Sequence, residues 1–133
     1  MLAPLPPYAV APPAFPFPAL ARLAGRAPLG GPREALLACY MAARLAHGAL
    51  ETPGGSVPPS LRLARGRGAR AWLGALAVPP AVRAPVAKLI DASTSNDPVA
   101  LRPPLAAVIA VTAGYLDGPA RSELDHLTQA LAG

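Results

Sequence analysis

The chain has 133 residues, 53% of them apolar but only 5% aromatic, and it carries 12 basic against 7 acidic side chains. That is one domain's worth, able to close a modest core whose bulk is Ala, Leu and Val. The single cysteine, Cys39, excludes an internal disulfide and a Cys-based zinc site. Ala and Leu are strong helix formers, and β-branched or aromatic runs suited to half-buried strands are few, so the expectation is an all-α fold. It should be a small bundle of about five mostly short helices, forming one domain over 19–133 behind a proline-rich arm over 1–18.

The arm, MLAPLPPYAVAPPAFPFP, holds seven of the 19 prolines, so it should be extended rather than helical. Tyr8, Phe15 and Phe17 are three of the six aromatic residues in the chain. Exposed rings favour aggregation, so these should dock on the helical body or on a partner.

Residues 19–27 suggest one or two helical turns before the turn Pro28-Leu29-Gly30-Gly31. Pro32 suits a first helical position and Glu34 a favourable first-turn charge, which predicts a helix over 32–50. Its alanines Ala35, Ala38, Ala42, Ala46 and Ala49 form a smooth side opposite a bulky one of Leu36, Leu37, Tyr40 and Met41. Such a helix should be sandwiched, either in the middle of the bundle or between the bundle and a second chain. Arg44 and His47 fall at the rim of the bulky side, where an arginine stem can lie along apolar surface.

Residues 51–60 read as a loop. In LRLARGRGARAWLGALAV the glycines Gly66 and Gly68 weaken helix at its start, by roughly 1 kcal/mol each relative to Ala. The helical segment is therefore placed at 69–78, with Trp72, Leu73 and Leu76 inward. Short helices follow over 84–92 (Val86, Leu89, Ile90 inward) and 104–116 (Leu105, Val108, Ile109, Leu116 inward), separated by a polar loop at 91–97. A last helix over 119–132 should bury Ala120, Leu124, Leu127 and Leu131. Residues 81–90 align with 100–109 at an offset of 19, and PPSLR, PPAVR and PVALR recur at 58–62, 79–83 and 98–102.

Chemistry is sparse. Cys39 and His47 lie on one helix but not in line, and Ser122 with His126 lacks an orienting acid, since Asp125 points elsewhere. No metal-ligand cluster or phosphate loop is present in the pattern, so neither enzyme activity, cofactor nor metal is expected. The charge is uneven, about +8 over 1–90 and −3 over 91–133. Arg62, Arg65, Arg67 and Arg70, with Arg83 close behind, could bind phosphates through their guanidinium forks, or pair with acidic side chains. The composition thus points to a non-enzymatic accessory or structural subunit. Its partners would be other protein subunits, or copies of itself, met by the arm and the alanine-faced helix. The alternative is a sequence-independent nucleic-acid-binding subunit using residues 62–70.

No basic stretch precedes an apolar N-terminal run, and Leu105–Leu116 is about eight residues short of a bilayer span. A cytoplasmic location without membrane attachment is the expectation. Basic and apolar residues do not divide onto the two faces of one helix as peripheral membrane binding requires.

Overall fold

The computed structural model describes residues 17–51, 59–95 and 97–132. Among these there is no strand, and six α-helices replace the five expected: α1 (Pro18–Arg26), α2 (Pro32–Glu51), α3 (Pro59–Ala75), α4 (Pro80–Ser93), α5 (Pro98–Thr112) and α6 (Gly118–Leu131). A 3-10 turn, Ala113–Tyr115, continues α5. The all-α class holds. Tyr8 and Phe15 lie outside the described residues. Pro18 opens α1, and Phe17 is part of the core.

α2 is the axis of the bundle, with α1, α4, α5 and α6 all packed against it. Its alanines 35, 38, 42, 46 and 49 are at most 2% exposed; on the bulky side Leu36, Tyr40 and Met41 are at most 4% exposed and Leu37 is half-buried. Each fully buried leucine of the core, such as Leu36, Leu89 or Leu124, contributes about 1.5–3 kcal/mol relative to exposure. The turn into α2 needs glycine, since Gly30 and Gly31 have φ of 95° and 139°. Glu34 then closes it: its Oε1 accepts from Gly31 N (2.7 Å) and Gly30 N (3.1 Å). These bonds, from Gly31 first, hold the Glu34 carboxyl below the usual carboxylate range.

Three helices start earlier than sequence reasoning placed them, α4 by four residues, at Pro80 rather than 84, and α3 and α5 by more. α3 begins at Pro59 and runs through Gly66 and Gly68. Gly66 is buried, and a Cβ there would meet the Thr94 methyl at 3.2 Å, so the glycine lets α3 approach the end of α4. The tertiary contact offsets the propensity cost. α5 begins at Pro98 and contains Pro103 and Pro104, as α4 contains Pro85. The carbonyls these prolines leave without a donor, four residues back, belong to Ala81, Val99 and Ala100. All three residues are exposed, where water can satisfy them.

The 19-residue similarity coincides with a structural pair. α4 and α5 pack against each other, and the alignment superposes Val82 on Leu101, Val86 on Leu105, Leu89 on Val108 and Ile90 on Ile109, every one of them buried. The recurring Pro-x-x-x-Arg pattern places an arginine in the opening turn of α3, α4 and α5 alike (Arg62, Arg83 and Arg102).

Candidate functional site

Helix ends govern the charged residues. α1 has Phe17 at its N-cap and no cap of its own. Glu123 on α6 supplies one instead, its Oε2 accepting from Ala19 N and its Oε1 from Leu20 N, both at 2.9 Å. Asp97 and Asp117 cap α5 and α6 through Val99 N and Ala120 N.

Arginines do the converse at C-termini, where carbonyls lack intrahelical donors. Arg33 donates to Ala27 O (2.8 Å) and Gly25 O (3.1 Å) at the end of α1. Arg83 donates to Leu73 O (3.0 Å) and Leu76 O (2.8 Å) at the end of α3. Arg62 donates to Thr94 O (2.9 Å) just beyond α4.

This sorts the expected polyanion cluster. Arg83 is half-buried and holds the α3–α4 connection. Arg70 donates through Nε and Nη2 to the Asp91 carboxylate, the shortest of the three contacts being 2.6 Å. Arg62 reaches Thr94. Arg65 and Arg67 are exposed and form no ion pair among the described residues.

The expected partner-binding alanines of α2 are not a surface at all: they are covered by the chain's own helices. Phe17, expected to dock in cis or in trans, is 3% exposed and docks in cis, with its ring edge-on to Tyr40 (6.3 Å) and His47 (5.7 Å). Burial pushes the Tyr40 hydroxyl's pKa up, against the opposing influence of Arg44.

A cleft of about 320 Å³ opens beside Phe17, lined by Leu50, Leu127 and Ala130 with His47, His126 and Glu123. Both oxygens of Glu123 are engaged by α1, which leaves that carboxylate little to offer a ligand. No group of three or more His, Cys, Asp or Glu among the described residues could hold a metal ion. Cys39 is fully buried beside Thr112 (3.7 Å), and burial pushes its thiol up to about 11, far from the thiolate that nucleophilic chemistry needs.

Comparison with family models, curated proteins and solved structures gives no match. The surfaces of this chain must be read from their own chemistry.

Two outer faces stand out, and neither was singled out in the sequence. On α5, Val99, Ala100, Pro103, Ala106, Ala107 and Ala110 are all exposed, and none has a side chain able to hydrogen-bond. The 18 residues Pro98–Tyr115 have a mean hydropathy of 1.2 with only 28% of them buried. On α3, Leu61 and Leu63 are 44% and 50% exposed. A helix starting at residue 104 leaves Val99, Ala100 and Pro103 off α5, and one starting at 69, after the glycines, leaves Leu61 and Leu63 off α3. The repeated Pro-x-x-x-Arg openings were the available signal.

Proposed function

We propose that the chain acts without catalysis, as an accessory or structural subunit of a larger assembly, and that it meets protein partners through the outer face of α5. One observation supports the reading above others: Val99, Ala100, Pro103, Ala106, Ala107 and Ala110 form a continuous exposed face without a polar side chain, with the exposed Arg102 at its edge. By contrast α6 turns Arg121, Ser122, Asp125, His126 and Gln129 outward, as a solvated helix does. A face of methyl groups and proline rings lets another backbone approach closely, and covering it removes apolar area from water, provided the partner gives donors to the Val99 and Ala100 carbonyls that Pro103 and Pro104 leave open.

A sequence-independent nucleic-acid contact through residues 62–70 is the competing reading. It is weaker, because Arg70 is occupied by Asp91 and Arg62 by Thr94, which reduces the unengaged basic set to Arg65 and Arg67.

The test is size-exclusion chromatography with light scattering on the untagged full chain from its native extract, alongside Ala106→Glu/Ala110→Glu. The reading requires the wild-type chain to elute well above its 13.4 kDa and the double variant to elute as a folded monomer. Elution of both at the monomer mass would end it.

A further inference from the structure

We infer that the outer face of α3 is a docking surface for anionic lipid headgroups. The helix is attached to the body chiefly through α4, using Gly66, Ala69 and Leu73 on its inner side. Projected at 100° per residue, the outward side spans about 160°, from Leu63 round to Leu61. Between the two leucines lie Ala64, Gly68 and Ala71, all exposed, and Arg67. Each leucine is followed by an arginine one turn on, Leu61 by Arg65 and Leu63 by Arg67, so each pair shares a flank of the helix.

The helix has no acidic residue, and Arg65 and Arg67 lack an ion-pair partner among the described residues. With α3 running from Pro59 to Ala75, Leu61, Leu63, Arg65 and Arg67 share one helix, which a start at residue 69 does not allow.

Charge complementarity identifies the occupant as a polyanion, and the leucines choose among polyanions. Half-exposed leucines gain nothing against a phosphodiester backbone. On the outward side of a helix and about half exposed, they suit insertion between lipid headgroups, a medium that deforms around them. The small residues between them let the helix lie close to the interface plane. The arginine stems run beside the leucines, with the guanidinium groups at phosphate level. This inference does not depend on what covers α5.

The experiment is co-sedimentation of the full chain with large unilamellar vesicles, either pure phosphatidylcholine or phosphatidylcholine with a third phosphatidylserine, in low and high salt. Binding is expected on the anionic vesicles only and should fall with salt. Arg65→Glu/Arg67→Glu should lower the partition coefficient at least ~10-fold, since each basic residue near such a surface counts for about 1 kcal/mol. Leu61→Ala/Leu63→Ala should lower it several-fold while the helical circular dichroism is unchanged. Arg65→Gln/Arg67→Gln serves as the milder charge variant should the reversal disturb folding. Three results each overturn the inference: no sedimentation with anionic vesicles, equal sedimentation with neutral ones, or indifference to the leucine pair. Single-stranded DNA binding that depends on the arginines but not on the leucines, without vesicle binding, would replace lipid by nucleic acid.

Discussion

α2 and α5 are both lined with alanine, yet they do opposite things. On α2 the methyl groups are the seams along which neighbouring helices pack, and nothing outside the chain can reach them. On α5 the alanines look outward, while Leu101, Leu105, Val108, Ile109 and Thr112 form the core side. A stripe of small residues therefore carries no meaning until the opposite face is known. α2 is bulky on its other side and still buried there, so it sits at the centre. α5 has one heavy side, and its light side is left over.

Charge insertion is the sharpest way to break this contrast. Ala42→Glu puts a carboxylate where the side chain is 0% exposed, and a loss of several kcal/mol is expected, enough to abolish the cooperative thermal transition. A folded variant with an unchanged melting temperature would remove α2 from the centre of the bundle.

Next in size are the arginine clamps. Arg83→Ala removes the guanidinium bonds to the Leu73 and Leu76 carbonyls at the end of α3, leaving them only Leu76 N and Val78 N as donors, and about 1–2 kcal/mol should be lost in urea denaturation. Arg65→Ala, on the exposed side, should leave the midpoint where it is.

A smaller effect is expected from acid. The Glu34 carboxyl is held below its ordinary value by the Gly31 and Gly30 amides. Its folded-state pKa thus lies under the unfolded one. The stabilisation is fully present above the unfolded pKa and is lost as pH falls through the folded pKa. Glu34→Gln should flatten that part of the stability profile and leave the alkaline side unchanged. An identical acid limb in the variant would show that the turn does not depend on the charge.

The smallest effect is the counterpart of the first. Ala107→Glu on the outer face of α5 should change the stability of the isolated chain by no more than about 0.5 kcal/mol. A large loss would mean that α5's outer face is covered after all.

Much of the fold was legible. α2 and α6 were bounded within two residues, and the inward stripe Ala120, Leu124, Leu127 and Leu131 is buried as expected. Both helices have Pro in their opening turn, and both have a strong helical period. α3 and α5 were cut short for one shared reason. Glycine and proline penalties are local quantities, and the terms that offset them (Gly66 against Thr94, exposed carbonyls behind Pro103 and Pro104) come from packing and solvent. The candidate surfaces inherited those errors, because the exposed leucines and the exposed alanines both sit on the truncated pieces.

The sequence by itself determined the helical class, the buried stripes of the long periodic segments and the acidic caps next to their helices, since each depends on residues within a few positions of one another. Tertiary structure alone decided which alanines were inside, which arginines were bound to carbonyls and which were left facing solvent. Those outcomes depend on what each helix meets across the bundle. Glu123 reaching back about a hundred residues to the first turn of α1 is a contact that no local pattern encodes.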